Sequence, residues 1–280
     1  MTLVGADGTE WNLADGPVYI LAGASGFGTP DAENWWRSSP SVNGSSWLGR
    51  RTPQREVALP LEIRGSNEAT WLATDKALWD SITAEGMCQL QITTPEAVTR
   101  TLDIRYGGGG DKTLDIDPML EYFSTYELNF TAGDPFWQGN KKSETYTISA
   151  PVNLFPGPPF GISASATIGE GSIDNPGDEP TWPTFEVTGP YSSVSVGVGI
   201  ALVTLGTPVA AGVQRFVNMD PNARTITDVN GVDKWLEATA ADFAAVPPGN
   251  NIDLNMAVTG GTAGQTEVKV TIVPKYRRAW

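Results

Sequence analysis

The stretch from residue 122 to residue 137 reads YFSTYELNFTAGDPFW, a β-strand pattern followed by a stop. Tyr122 begins one face of an extended chain that continues with Ser124, Tyr126, Leu128 and Phe130, the period-2 pattern of a half-buried strand. The proline at 135 cannot donate a ladder hydrogen bond and disfavours a helical residue before it, so the strand ends there. We predict that the next two residues, Phe136 and Trp137, close the core of a first domain.

Length and composition predict two domains of mainly β structure. The chain has 280 residues, long for one core, and the stretch above lies at its midpoint, so the predicted domains are 1–140 and 141–280. With 31 Gly, 21 Pro and 10 Trp, the composition is typical of a β protein with many turns. No apolar run reaches the roughly 18 residues that span a bilayer and no leader pattern is visible, so we expect folding in a cytosol and no membrane partner.

Several classes of chemistry are excluded by residue counts. The sequence has no histidine, which excludes histidine triads and His-ligated zinc, and Cys88 is the only cysteine, which excludes an internal disulfide. The net charge of −14 argues against a nucleic-acid-binding surface. Carboxylate-pair glycosidase chemistry needs only Asp and Glu, so a glycosidase stays open as an alternative. We nevertheless predict no catalytic residue, no cofactor and no metal.

Two loops resemble ligand sites only superficially. The glycines Gly23, Gly26 and Gly28 lack the G-x-G-x-x-G spacing and the Gly-Lys-Ser or Gly-Lys-Thr ending that phosphate loops require. The segment 174–179 is rich in side-chain oxygens but lacks the EF-hand spacing, so we interpret it as a turn with solvated acids rather than a calcium loop.

The first half contains a predicted hairpin, a predicted helix and a further strand pair. Asp7-Gly8 is a strong hairpin signal between two short strand-like runs. The alternation over 57–63 predicts a strand, and Ser66 then caps a helix that ends at Gly86 and packs on the sheet. A second hairpin is predicted over 87–106.

A long irregular segment is predicted between Gly23 and Arg55. Loops of this size in compact domains are usually functional or held by a partner. Tryptophan and arginine are enriched at protein interfaces. The candidate subunit-interface residues are Trp35, Trp36, Arg37, Arg50, Arg51 and Arg55.

The second half repeats short strand-like runs at the spacing of a β-sandwich. They begin near residue 185 and end near residue 273. Trp182 beside two prolines and Trp235 in a polar turn are the candidate sugar platform, although either could belong to the core. A carbohydrate-binding module that recognises host cell-wall sugars is therefore a second alternative.

The order of motifs along nearly the whole chain resembles the siphophage distal tail proteins (Dit), a baseplate hub family. In the first half the resemblance rests on Gly26-Phe-Gly-Thr-Pro30, Gly49-Arg-Arg-Thr-Pro-Gln-Arg55 and Asp134-Pro-Phe-Trp137. In the second half it rests on 175–189, 211–220, 247–250 and 274–280.

This resemblance implies both the architecture and the role. It implies an N-terminal domain that assembles into a ring, usually a hexamer, at the tail tip, followed by a C-terminal galectin-like β-sandwich. The implied partners are further copies of the chain, the tail tube protein, the tail-tip hub protein and receptor-binding or other baseplate proteins. The implied location is the virion tail tip after synthesis in the host cytoplasm, with a pore for DNA passage and no sequence-specific nucleic-acid binding.

Overall fold

The computed structural model describes residues 1–83, 85–110, 117–148 and 171–280, and the chain forms two compact units. Unit 1 contains Met1–Gly139 together with Tyr276–Trp280, and unit 2 contains Asn140–Lys275. The predicted division into 1–140 and 141–280 differs from these units at the end of the sequence. The last five residues return to unit 1 because their hydrogen bonds and their packing lie there.

Unit 1 is built on one nine-stranded sheet in the order β2-β1-β7-β8-β9-β6-β3, with β10 pairing to β8 and β21. Its strands are β1 (Thr2–Val4), β2 (Glu10–Asn12), β3 (Val18–Ile20), β6 (Arg55–Arg64), β7 (Cys88–Thr93), β8 (Thr99–Gly108), β9 (Phe123–Ala132), β10 (Trp137–Gln138) and β21 (Lys275–Tyr276); β4 (Glu33–Ser39) and β5 (Val42–Arg51) form a separate pair. The amide of Ile20 donates to the carbonyl of Leu13 at 3.1 Å, so the two ends of the sheet meet and it is nearly closed like a barrel.

The predicted strand at the midpoint of the chain is confirmed as β9, but it begins one residue later than predicted because Tyr122 has a left-handed φ of +56°. Ser124, Leu128 and Phe130 are buried on one face, while Glu127 and Asn129 are exposed on the other. β9 pairs with β6 over its whole length, and the alternating apolar residues of the two strands form the centre of the core. The ring of Trp137 is completely buried in that core, as expected for a residue that closes it.

The predicted helix forms, but its cap is one residue later than expected. α1 spans Glu68–Ser81 and its N-cap is Asn67, not Ser66. The Asn67 side-chain oxygen accepts from the amide of Thr70 at 2.9 Å, and the Thr70 hydroxyl accepts from the Asn67 amide at 3.1 Å, a reciprocal capping box. The helix buries Trp71 and Leu78 and ends before the predicted Gly86.

A second helix, α2 (Pro118–Glu121), escaped prediction because it is a single turn. Its N-cap Asp117 accepts from the amide of Met119 at 3.0 Å, and proline occupies its first position. None of the described helices is long and apolar enough to span a membrane.

Unit 2 is a β-sandwich, as predicted from its short strands. Its two five-stranded sheets have the orders β11-β20-β13-β16-β17 and β12-β19-β14-β15-β18, and their inner faces share one apolar core. The strands are β11 (Lys142–Thr147), β12 (Gly171–Asn175), β13 (Thr184–Thr188), β14 (Ser193–Val198), β15 (Ala201–Leu205), β16 (Gln214–Asn218), β17 (Thr225–Asp228), β18 (Ala238–Ala241), β19 (Gly249–Thr259) and β20 (Glu267–Ile272). The more specific expectation of a galectin-like sandwich stays a prediction.

The chain leaves unit 1 and returns to it at neighbouring residues. A Cβ atom placed on Gly139 would lie 2.7 Å from the ring of Tyr276, so a larger residue at this position would have to displace that ring. Asn140 and Lys275, which follow and precede these two residues, are the ends of unit 2.

Candidate intersubunit surface

The predicted irregular segment contains a β-hairpin, made of β4 and β5, that we call the arm (residues 33–51). The two strands pair only with each other among the described residues, and every residue of β4 is exposed. The sequence pattern did not predict strands here because neither face of the ribbon is buried, so no apolar alternation marks it. A register shift between Trp35 and Trp36 further obscures the period.

One face of the arm carries a pair of indole rings. Trp36 lies opposite Trp47, and the Trp47 indole nitrogen donates to the side-chain oxygen of Asn34 at 3.1 Å. The two rings are 60% and 55% exposed. Large apolar rings left in water on a narrow ribbon are typical of an interaction surface.

The other face of the arm carries a charged and aromatic cluster. The Arg51 guanidinium lies 5.9 Å from the centre of the Trp35 ring and donates to the Glu33 carboxylate at 2.7 Å. The hydrogen bond to Glu33 raises the pKa of Arg51 above its ordinary value. Because both partners are exposed, this pair adds little stability and mainly orients the guanidinium.

The arm has the opposite charge to the rest of unit 1. Residues 33–51 contain three arginines, Arg37, Arg50 and Arg51, and one acid, Glu33, for a net charge of +2. The remaining residues of unit 1 contain 8 basic and 18 acidic side chains, for a net charge of −10. An arm that meets the body of another copy therefore meets opposite charge.

Arg55 does not belong with the other candidates. Its side chain is buried, only 5% of the residue being exposed, and its guanidinium donates to four backbone carbonyls. The acceptors and distances are Pro135 at 2.6 Å, Gly26 at 2.6 Å, Gly28 at 2.7 Å and Arg277 at 2.8 Å. Burial lowers the pKa of Arg55 from its ordinary value. The expectation that Arg55 faces a neighbouring subunit is therefore wrong, because its donors are already used inside unit 1.

Arg55 fixes the root of the arm together with an aromatic stack. Phe27 stacks between Trp137 and Trp280, with both centroid distances at 6.2 Å. Gly26 has a φ of +95°, and a Cβ there would stand 2.5 Å from the Glu56 carbonyl, so this close approach requires glycine. The segment that precedes the arm is thus held on the core by both hydrogen bonds and packing.

The two candidate sugar-platform residues lie in unit 2 and have different surroundings. Trp182 is partly buried and packs against the sandwich core. Trp235 is 42% exposed, but Phe243 stacks on one face of its ring at 6.0 Å, and the Arg224 guanidinium lies 4.7 Å from the Phe243 ring. The structure does not bring Trp182 and Trp235 into a shared aromatic stack.

The acidic loop at 174–179 is held by a buried asparagine. The Asn175 side-chain amide donates to the carbonyls of Glu179 at 3.1 Å and Val246 at 3.0 Å, and its oxygen accepts from Gly177 at 3.0 Å. These bonds define a turn. In the part of the chain that the structure describes, no group of three or more His, Cys, Asp or Glu side chains could hold a metal ion.

These features define the class of the protein: a nearly closed β-sheet unit with an exposed hairpin arm, joined to a two-sheet β-sandwich.

No protein-family model matches the chain. Among curated proteins it is similar to two phage proteins, both called minor tail protein Gp27. It is 23% identical over 141 residues to that of Mycobacterium phage D29 and 25% identical over 146 residues to that of Mycobacterium phage L5. The matches cover 48% and 50% of this chain and 42% and 44% of the relatives, less than half of their length.

Solved structures with the same fold are also phage proteins. The Dit protein of phage SPP1, described as a paradigm of the hub adsorption apparatus of phages that infect Gram-positive bacteria, matches with a TM-score of 0.64 at 16% identity over 98% of each chain. A chain of the phage P2 baseplate, in its activated conformation with Ca, matches with a TM-score of 0.55 at 13% identity over 96% of this chain and 97% of that one. This chain therefore has the fold of a Dit protein, and the resemblance inferred from the sequence is confirmed at the level of the fold.

Proposed function

We propose that this chain is a distal tail protein of a siphophage, a structural component of the tail tip that forms a ring between the tail tube and the baseplate. The observation that carries the proposal is the agreement with the Dit protein of phage SPP1 over 98% of both chains. The sequence matches to phage minor tail proteins support the same location, the virion tail. Its role is to assemble rather than to catalyse.

The arm is the part of unit 1 that joins the copies. An isolated two-stranded ribbon is at best marginally stable in water, so a partner surface is needed to hold it. A contact in which an arm of one copy meets a different surface of the next copy is heterologous, and such contacts close into rings when the rotation permits. We propose a ring of six copies, as the resemblance implies.

The other proposed partners are proteins of the same tail. The tail tube protein lies on one side of the ring, while the tail-tip hub protein and the receptor-binding or other baseplate proteins lie on the other side or around it. The ring encloses a pore through which the genome passes. An acidic wall suits this pore because Lys and Arg contacts would bind phosphate and retain the DNA; the net charge of −10 on residues 1–140, against −4 on the remainder, supports it.

The ring is tested by measuring the mass of the full chain in solution and imaging the same sample by negative-stain electron microscopy. The expected result is an annular particle with six times the 29.8 kDa mass of the chain.

Glu33 and Arg51 pair across the base of the arm, so residues 34–50 can be replaced by Asn-Gly without opening the body. That variant is expected to fold and stay monomeric. A parental chain that is monomeric at every concentration contradicts the ring, and an armless chain that still forms rings contradicts the role of the arm.

The sandwich is expected to have no sugar affinity of its own. A fold does not confer a function, and one face of the Trp235 ring is already covered by Phe243. A glycan array and calorimetric titration with cell-wall sugars should both show no saturable binding. Saturable binding that is lost in Trp182→Ala or Trp235→Ala, with the fold retained, would show instead that unit 2 is a carbohydrate-binding module.

A further inference from the structure

An apolar groove lies beside the root of the arm in unit 1. Its volume is about 440 Å³, and its mainly apolar lining includes Ile20, Leu21, Ala22, Phe27, Ile92 and Trp280. Trp280 is 61% exposed, and no described residue of the same chain covers its outer side. An open apolar groove of this kind is a binding surface rather than part of the core.

The chain also contains apolar groups that match this groove. The paired rings of Trp36 and Trp47 stand on one face of the arm and are exposed in the single chain. Within the pair, the Trp47 indole nitrogen is already hydrogen-bonded to Asn34, so the ring can enter an apolar environment without leaving a donor unpaired. The groove and the ring pair are therefore two apolar surfaces that the single chain leaves exposed.

Charge and chain continuity favour a second copy as the occupant. The arm has a net charge of +2 and the remainder of unit 1 a net charge of −10, so an arm is attracted to another body. Residues 20–24 and Phe27 line part of the groove, and the arm begins six residues after Phe27, at Glu33. Each copy thus presents a groove and an arm as two neighbouring but different surfaces, as repeated head-to-tail contacts require.

We infer that the Trp36 and Trp47 rings of one copy fill the groove between Phe27, Ile92 and Trp280 of the next copy. This inference rests on the proposed ring and names the surface that receives the arm. The arm supplies two rigid aromatic anchors, and the groove supplies an aromatic wall already fixed by the stack of Phe27 on Trp137. The contact is heterologous, so one copy uses its arm and its groove with two different neighbours.

Two variants of the full chain separate the halves of the contact. Trp36→Ser with Trp47→Ser removes the rings from exposed positions and leaves the groove intact. Ala22→Arg leaves the arm intact and places a long cation at an exposed residue of the groove lining, where it excludes and repels the arm. Ile200→Ser with Leu236→Ser is the matched control, since these two apolar residues of unit 2 are fully exposed and lie outside the contact.

Each of the two test variants alone is expected to lower the ring fraction at least about tenfold, while the control assembles like the parent. An equimolar mixture of the two, fixed with a chemical cross-linker, is expected to yield 1:1 pairs. In such a pair, the intact arm of one variant occupies the intact groove of the other. The arm and the groove that stay free are both mutated, so the pair cannot be extended into a ring.

The outcomes distinguish this inference from the proposed function. If rings form normally in either test variant, the inference is wrong but the proposed ring is not affected. The groove would then be the binding surface for a different tail protein. A mixture without cross-linked pairs overturns it as well. A parental chain that never assembles overturns both the ring and the contact.

Discussion

Arg55→Met is expected to destabilise unit 1 by about 3 kcal/mol or more, because four backbone carbonyls, the buried one of Pro135 among them, lose a charged donor at once. Methionine keeps the apolar stem of the side chain and lacks the guanidinium, so the loss reports the hydrogen bonds and packing of that group. The affected acceptors belong to three separate parts of unit 1, namely the segment before the arm, Pro135 and Arg277. Urea unfolding of the full chain, followed through tryptophan fluorescence, measures the change.

Arg51→Met is the matched control for this substitution. Arg51 pairs with Glu33 and lies beside the Trp35 ring, both of which are exposed, and 63% of its own side chain is in water. Its loss is therefore expected to leave the free energy of unfolding unchanged within the error of the measurement. Equal stabilities for the two variants would mean that the carbonyls around Arg55 find other donors, and that Arg55 is not what fixes the root of the arm.

Removing Tyr276–Trp280 is expected to destabilise unit 1 by a similar amount, about 3 kcal/mol or more. Ala279 is completely buried and its amide donates to the Phe27 carbonyl at 3.0 Å. The carbonyl of Arg277 accepts from Arg55, and that of Arg278 accepts from Arg100 at 2.8 Å. The truncation therefore removes the backbone acceptors of Arg55 and Arg100 and the amide that donates to the Phe27 carbonyl. It also removes the Trp280 ring that stacks on Phe27. Thermal unfolding by calorimetry measures the loss in the unit 1 transition.

Trp280→Ala tests the same region with a smaller change. It removes one largely exposed ring and keeps the backbone, so a loss of only about 1 kcal/mol is expected.

A second comparison uses fragments: residues 1–139 joined by a short linker to 276–280 should fold, whereas residues 1–140 alone should be much less stable. If both fragments are equally stable, the returning segment contributes nothing to unit 1.

The strands of the core could be predicted because burial on one face leaves a pattern in the sequence. The alternation in β6 and β9 marks both strands, and Pro135 marks the end of the second. The sandwich was predictable for the same reason. The arm could not be recognised as a hairpin because exposure on both faces removes that pattern, although its tryptophans and arginines did mark it as a candidate interaction segment.

Only part of the candidate intersubunit surface could be predicted from the sequence. Trp35, Trp36 and three of the four arginines lie in the exposed arm. Arg55 has the same sequence context but is buried, because it binds backbone carbonyls, and such partners cannot be recognised from a sequence motif. The groove left no signal at all. Its walls come from distant parts of the chain, such as Ile92 and Trp280, and only the folded sheet brings them together.

Because Gly139 lies close to Tyr276, unit 2 could be replaced by an unrelated folded domain. Everything between these two residues leaves and rejoins the sheet at one place, and insertions are tolerated best where the two ends lie together. A fluorescent protein or an enzyme whose own termini are adjacent can therefore replace Asn140–Lys275 without pulling the sheet apart. In the ring proposed above, each subunit would display one such passenger, with its valency set by the number of subunits.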